Sequence, residues 1–166
     1  MPDERLAAQF ESGGKAVPSV LIVYGSTLGN TREAARRLQT LLEFPVELRD
    51  VRDLGGTELL EQADILIFMA STWGDGELQA DMEEFLVGAP LSLPGKPYAI
   101  CELGNYYGYD DFEFGAQLII RHHLESAGAI EWVEPFSMDS IPRKDWKGLE
   151  RWAGMLNARW KEICHA

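Results

Sequence analysis

Residues 20–31 read VLIVYGSTLGNT, and their pattern predicts the fold class. It opens with an apolar run from Val20 to Val23, bounded by Pro18 and Gly25, as in a parallel strand that is covered on both faces. A polar loop with two glycines follows, and a helix is predicted from about Thr31. Strand, loop and helix in this order are typical of an α/β sheet, in which ligands bind beyond the carboxyl ends of the strands.

The alternation of strand and helix patterns continues along the chain. Five segments have short apolar or alternating patterns that predict strands: residues 20–23, 46–51, 65–70, 98–103 and 130–136. Between and after them, helices are predicted over residues 31–44, 78–87 and 112–127 and from Pro142 onward. On the helix over 112–127 the apolar side is assigned to Phe114, Leu118, Ile119 and Leu124. The chain is therefore predicted to be α/β, with a doubly wound five-stranded parallel sheet and right-handed crossovers.

The two ends of the chain differ in character. Residues 1–18 are predicted to be a flexible polar extension, and residues 19–166 to form one domain. The first residues lack the apolar core of a secretion signal, and no stretch approaches the roughly 18 apolar residues of a membrane span. Cys101 and Cys164 are expected to be reduced thiols. These observations predict a cytoplasmic protein.

The formal net charge is −12, and the acidic residues are concentrated in the middle of the chain. Between Asp53 and Arg121 the only basic residue is Lys96. The same stretch holds acidic residues at Asp53, Glu58, Glu61, Asp64, Asp75, Glu77, Asp81, Glu83, Glu84, Glu102, Asp110, Asp111 and Glu113. This excludes nucleic acid and anionic membranes as partners and favours a protein partner with a basic face. An ordinary solvated acidic surface is the alternative.

The loop after the first strand has the composition of an anion-binding site. Side-chain donors are present at Ser26, Thr27, Asn30 and Thr31, and a helix N-terminus follows. The lysine of a nucleoside triphosphate loop is absent, as is the G-x-G-x-x-G pattern of dinucleotide sites. A terminal monophosphate held by neutral donors is the preferred interpretation. The alternative is an ordinary turn with Asn30 or Thr31 as the helix cap.

A second segment, after the third strand, reads STWGDGEL over residues 71–78. Trp73 in a glycine-flanked loop is well placed to lie against a planar ring, whereas a tryptophan folded back on the core is the alternative. The loop after the fourth strand, LGNYYGYDDF over residues 103–112, contains three tyrosines. Because both loops follow strands of one parallel sheet, they are expected to meet the anion loop at the same edge.

These motifs together resemble the flavodoxin family. VYGSTLGNT is similar to the family's phosphate loop, STWGDGELQADMEEF to its next segment, and LGNYYGY to its pattern L-G-D-x-x-G-Y. The resemblance runs from about Ser19 to the C-terminus and shows no long insertion in the fifth strand, as in short-chain flavodoxins. It implies a flavodoxin-like strand order of 2-1-3-4-5 and non-covalently bound flavin mononucleotide (FMN).

The resemblance also assigns roles within the site. Trp73 would flank the inner face of the flavin ring and Tyr109 the outer face, with the Gly74 carbonyl turning towards the flavin N5–H. Asn105 stands where many flavodoxins have aspartate. The cofactor-binding residues implied are Ser26, Thr27, Leu28, Gly29, Asn30, Thr31, Ser71, Thr72, Trp73, Gly74, Asp75, Gly76, Leu103, Gly104, Asn105, Tyr109 and Phe112.

The function that follows from the resemblance is electron transfer. The chain is expected to be a low-potential one-electron carrier that shuttles between semiquinone and hydroquinone, with no catalytic residues and no metal site of its own. Its partners would be a reductase and an acceptor with basic docking faces. The chain itself is expected to be a monomer. Two alternatives stay open: an FMN-dependent enzyme of the quinone reductase kind, and a binding module for another phosphorylated ligand.

Overall fold

The fold is a parallel sheet with helices on both faces, given by a computed structural model that describes residues 17–73, 76–104, 115–140 and 143–164. Its strands are β1 (Val20–Gly25), β2 (Glu47–Asp50), β3 (Ile65–Trp73), β4 (Glu77–Leu78), β5 (Pro97–Gly104), β6 (Ile130–Glu131) and β7 (Phe136–Asp139). Its α-helices are α1 (Asn30–Leu41), α2 (Glu58–Gln62), α3 (Ala80–Gly88), α4 (Gly115–Ser126) and α5 (Trp146–Cys164). A short 3-10 helix covers Val51–Asp53.

The three apolar runs of the sequence form the centre of the sheet. The order is β2-β1-β3-β5, with β6 and β7 both pairing with β5, and these neighbours are all parallel. If β6 and β7 are counted as one interrupted strand, this is the predicted order 2-1-3-4-5. Every residue of β1 and β5 is buried, because helices cover the sheet on both sides.

The core has one layer on each face of the sheet. On one face, α1 and α5 pack against alternate residues of the strands, such as Ile22 and Ile67. On the other face, α3 and α4 pack against the intervening residues, such as Val23 and Phe68. Within the described ranges, no helix combines the length and apolar character needed to cross a membrane.

The fifth predicted strand, residues 130–136, is interrupted in the structure. Pro97 lies opposite Ile130 and Cys101 opposite Phe136, so the second segment holds two more residues than the strand it faces. Trp132 and Val133 are both buried in the same core layer, which an alternating strand does not allow for consecutive residues. The backbone therefore bulges between β6 and β7, as in strands that carry extra residues.

The segment after the third strand also differs from its prediction. β3 continues through Trp73 and turns back into β4, which pairs antiparallel with it, Thr72 opposite Leu78. Leu78, predicted as the start of a helix, is therefore in a strand, and α3 begins at Ala80. The sheet is accordingly not purely parallel.

Two helix predictions also need correction. Leu118, assigned to the apolar side of its helix, is 54% exposed, and the buried face of α4 is formed by Ala116, Ile120 and Leu124. The last helix begins at Trp146. Phe114 and Pro142 lie outside the described residues, as does most of the extension predicted over 1–18.

Candidate functional site

The carboxyl ends of β1, β3 and β5 lie side by side and bring two of the predicted segments together. Gly25 is opposite Ala70, and Ser71 is opposite Leu103. Because neighbouring strands are about 4.8 Å apart, the loops that leave these ends are adjacent. The chain leaves β1 towards β2 on one side and returns to β3 on the other, so this point is the switch in strand order where ligands of such sheets bind.

The loop after β1 has the geometry of an open helix N-terminus. Gly29 has a φ of 94°, a left-handed conformation that favours glycine, and it stands at the N-cap of α1 with no side-chain cap hydrogen bond. The Gly29 N–H donates to Ser26 Oγ at 3.1 Å, which closes the turn. The N–H groups of the first helical turn have no intrahelical acceptors, so they point out of this end of α1.

The residues of this loop differ in exposure. Ser26 and Thr31 are buried, whereas Leu28 is 75% exposed and Thr27 is also exposed. Because the Gly29 N–H already donates to Ser26 Oγ, Gly29 shapes the loop but does not offer this N–H to a ligand. The donors that remain are the backbone N–H groups of the first turn of α1 and the hydroxyl of the exposed Thr27.

A residue that the sequence did not single out connects this loop to the next. Gln79 is fully buried, and its Nε2 donates to Thr27 Oγ1 at 3.1 Å. Its backbone N–H donates to the carbonyl of Ser71 at 3.0 Å. A Cβ at Gly25 would lie 2.2 Å from Gln79 Oε1, so Gly25 makes room for this side chain. Glutamine before a helix carries no recognisable signal, which is why the contact could not be read from the sequence.

The predicted ring-binding residues of the second segment lie at the end of β3. Trp73 is 40% exposed, and its indole Nε1 donates to Ser71 Oγ at 2.7 Å, which fixes the ring beside the strand. Gly76, with a φ of 100°, lies in the turn to β4, and its N–H donates to the Trp73 carbonyl at 3.2 Å. Gly74 and Asp75 lie outside the described residues.

Thr72 joins a buried carboxyl group below the site. Its Oγ1 donates to Glu102 Oε2 at 2.7 Å, and the backbone N–H of Gln117 also donates to Glu102 Oε2, at 3.2 Å. Ser137 Oγ donates to Glu102 Oε1 at 2.8 Å. Glu102 is fully buried, so it is not part of an acidic surface, contrary to the interpretation of the sequence. It instead ties β3, β7 and the first turn of α4 together.

The third predicted segment is only partly described. Leu103 is buried in the core, and the Gly104 carbonyl accepts from the N–H and the Oγ of Ser140, at 2.9 and 3.1 Å. Leu103 and Gly104 can therefore contribute only backbone groups to the site. Asn105, Tyr109 and Phe112 lie outside the described residues.

An arginine follows the loop directly, but its charge is partnered. Arg32, in the first turn of α1, lies 3.7 Å from Asp50 Oδ2, and Arg52 contacts the same oxygen at 2.8 Å. Hydrogen bonding from Arg52 holds the pKa of the Asp50 carboxyl below its usual range, with a smaller effect from the Arg32 charge. The sequence did not indicate this cluster.

The fold and this arrangement define a doubly wound α/β protein with an uncapped helix N-terminus at its topological switch point. The flavodoxin family model matches residues 22–140. The flavodoxin of Nitratidesulfovibrio vulgaris is 33% identical over 147 residues, which is 83% of this chain and 96% of that protein. The flavodoxin of Maridesulfovibrio salexigens is 33% identical over 137 residues, 75% of this chain and 88% of that protein.

Solved structures agree with this match. Oxidised flavodoxin 2 from Bacillus cereus has a TM-score of 0.71 at 28% identity, and the alignment covers 87% of this chain and 98% of that chain. Fusobacterium nucleatum flavodoxin bound to FMN shares the fold at a TM-score of 0.64 and 16% identity, over 89% of this chain and 97% of that chain. The chain therefore belongs to the flavodoxin family, the FMN-binding electron carriers. The predicted family and fold are confirmed.

The residues present fit the cofactor of this family. The phosphate of FMN would meet an uncapped helix N-terminus with hydroxyl groups beside it, which suits an anion. The flat ring would meet Trp73, whose indole is held in place and exposed. FMN supplies the reversible redox chemistry, and the chain supplies its binding and its electrostatic environment.

Proposed function

We propose that the chain is a low-potential one-electron carrier whose non-covalently bound FMN shuttles between semiquinone and hydroquinone. The observation that carries the proposal is the open N-terminus of α1, which follows β1 at the carboxyl edge of the sheet, where the neighbouring strand β3 ends in the exposed Trp73. One part suits a phosphate and the other a planar ring, which are the two ends of FMN.

In this proposal the loop after β1 holds the phosphate. The backbone N–H groups of the first turn of α1 and the hydroxyls of Ser26, Thr27 and Thr31 donate to it, while Gly29 gives the loop its shape. Asn30 adds an amide donor, and Leu28 contributes its backbone N–H. Because the nearby Arg32 is paired with Asp50, the phosphate keeps much of its negative charge.

The ring end is formed by the other two segments. Trp73 lies against the inner face of the ring, with Ser71, Thr72 and Gly76 shaping the strand end that presents it. The backbone around Leu103 and Gly104 borders the ring from β5. Gly74, Asp75, Asn105, Tyr109 and Phe112 complete the assignment, with Tyr109 covering the outer face.

The charge around this site favours a low potential for the second electron. Adding that electron makes an anionic hydroquinone, and exposed acids near the site oppose a further negative charge. Glu77, Glu83 and Glu84 are all exposed on β4 and α3, directly after the Trp73 segment. The same acids would steer a reductase or an acceptor with a basic face towards a monomeric flavodoxin.

Cofactor reconstitution followed by anaerobic photoreduction tests the proposal. We expect one FMN per chain, much weaker binding of riboflavin because it lacks the phosphate, and accumulation of a blue neutral semiquinone before full reduction. Fluorescence quenching measures the affinities, and absorbance follows the radical. Equal affinity for the two flavins would exclude the phosphate site. Reduction without any radical, accompanied by turnover of a quinone, would indicate an FMN enzyme instead.

A further inference from the structure

The contacts of Gln79 leave its side-chain amide only one orientation. Oε1 accepts from the backbone N–H of Met82 at 2.9 Å, so the oxygen must face the start of α3. Nε2 donates to Asp81 Oδ2 at 2.8 Å and to Thr27 Oγ1 at 3.1 Å, which uses both of its hydrogens. Rotating the amide by 180° would place a donor against the Met82 N–H and an oxygen against the Asp81 carboxylate.

The backbone of Gln79 is held as firmly as its side chain. Its N–H donates to the Ser71 carbonyl at 3.0 Å, and its carbonyl accepts from the Glu83 N–H at 3.0 Å. Since Gln79 is also fully buried, all of its polar groups are paired inside the protein. A Cβ at Gly25 would meet Gln79 Oε1, so glycine at this position of β1 leaves room for the amide. The end of β1, the end of β3 and the first turn of α3 therefore surround Gln79.

This arrangement fixes the direction in which the Thr27 hydroxyl can donate. A hydroxyl has one hydrogen and two lone pairs, and Gln79 Nε2 has no lone pair to accept that hydrogen. Thr27 therefore accepts from Gln79 and must direct its own hydrogen elsewhere. Thr27 is exposed at the loop in front of the open N-terminus of α1.

We propose that Gln79 is a positioning residue for the phosphate site: by donating to the Thr27 oxygen it turns the hydrogen of that hydroxyl towards the phosphate, and thereby gives the site its preference for a phosphorylated flavin. The inference rests on the proposed FMN site and adds a residue that does not touch the cofactor. The ligand chemistry is a phosphate monoester, because a hydroxyl whose hydrogen is directed outward recognises an acceptor with no hydrogen of its own to offer.

Substitution of Gln79 with measurement of two flavins tests this. Gln79→Met keeps the length of the side chain but removes the donor. We expect FMN affinity to fall by about tenfold, equivalent to about 1.4 kcal/mol, while riboflavin affinity changes by less than about twofold. In Gln79→Glu the new carboxyl group lies against Asp81 and is expected to take up a proton, which it donates to that carboxylate. Its oxygens then accept from Met82 and from Thr27, whose hydrogen turns inwards. We expect a larger loss for FMN, again with little change for riboflavin.

A double-mutant cycle separates positioning from general stability. Thr27→Val removes the hydroxyl at an exposed position, and in that background Gln79→Met should leave the ratio of FMN to riboflavin affinity unchanged. If Gln79→Met does not fold, as judged by urea unfolding of the apoprotein, the comparison passes to Gln79→Glu. With Thr27 in place, an unchanged ratio of FMN to riboflavin affinity in folded Gln79→Met or Gln79→Glu would overturn the inference. A change in that ratio when Gln79→Met is added to Thr27→Val would also overturn it. A wild-type protein that does not prefer FMN would instead refute the proposed function.

Discussion

At the scale of single residues, the site depends on contacts that the sequence conceals. Gly25 is visible as a glycine after an apolar strand, but the reason for it is the buried side chain of Gln79, more than fifty positions away. Trp73 is different, because an exposed indole between a strand and a glycine could be recognised directly. Sequence patterns therefore indicate which residues lie at the candidate site, whereas the residues that hold them in position are found only once the fold brings distant segments together.

Trp73 is expected to contribute to ring binding without being needed for folding. Its ring is 40% exposed, so Trp73→Ala should leave the apoprotein folded, with its free energy of unfolding changed by less than about 0.5 kcal/mol. FMN affinity should fall about tenfold or more, because the variant loses both the buried ring area and the stacking contact, the latter worth roughly 0.5–1.5 kcal/mol. Fluorescence titration measures the affinity. Trp73→Phe is the matched control and should recover most of it; an Ala variant that binds as tightly as wild type would place the ring elsewhere.

At the scale of elements, the central strands were predictable and the irregular ones were not. β1, β3 and β5 are continuous apolar runs, so their burial and their parallel pairing follow from composition. The hairpin at β4 depends on backbone pairing with β3, which apolar spacing does not reveal, and Leu78 was therefore assigned to a helix. The bulge after β6 arises because Trp132 and Val133 both enter one core layer. The helix α2 was missed because its five residues are too few to show a period.

Glu102 links four elements through buried hydrogen bonds, with its own strand β5 joined to β3, β7 and α4. Glu102→Leu would leave Thr72, Ser137 and the Gln117 N–H without this acceptor in a buried place, and unmade hydrogen bonds there cost about 1–3 kcal/mol each. We expect the free energy of unfolding to fall by roughly 3–5 kcal/mol, measured by urea denaturation at a constant slope.

Glu102→Gln is the matched control for this variant. Its carbonyl oxygen can accept from Thr72 and Gln117, and its amide can donate to Ser137, so a loss of about 1 kcal/mol or less is expected. If Glu102→Leu were as stable as wild type, the carboxyl group would not be what joins the strands to α4.

In the whole molecule, paired charges and acidic residues are distributed unevenly between the two faces of the sheet. On the face of α1 and α5, Arg37 pairs with Glu150 and Lys161 with Glu43. On the other face, α3 is acidic, and Lys96, the basic residue of the middle stretch, lies at the start of β5, at the end of the sheet opposite to the site. The Lys96 ammonium donates to the carbonyls of Glu61 and Ala63, so it does not offset the acids near Trp73.

This asymmetry predicts how electron transfer depends on salt. Glu77→Gln, Glu83→Gln and Glu84→Gln combined should slow electron transfer to a small basic haem protein several-fold at low ionic strength. The difference should shrink with added salt, because the Debye length falls from about 30 Å at 0.01 M to about 10 Å at 0.1 M. Stopped-flow absorbance measures the rate.

The control removes the same number of charges from the other face. Glu43→Gln, Glu150→Gln and Glu162→Gln combined should have little effect, since these acids already pair with Lys161, Arg37 and Arg159. Equal slowing by both triple variants would mean that net charge, and not a docking surface, sets the rate. The flavodoxin assignment would stand in either case.

The interrupted edge of the sheet affects how the protein associates with itself at high concentration. A long, flat outer strand offers unpaired N–H and C=O groups as a template on which strands of other molecules can add. In this sheet one edge strand is β2, which is four residues long and carries charged side chains. The other edge is divided between β6 and β7. Within the described residues, neither edge gives an incoming strand a continuous row of partners. The edges therefore hinder the addition of strands from other copies of the protein at high concentration.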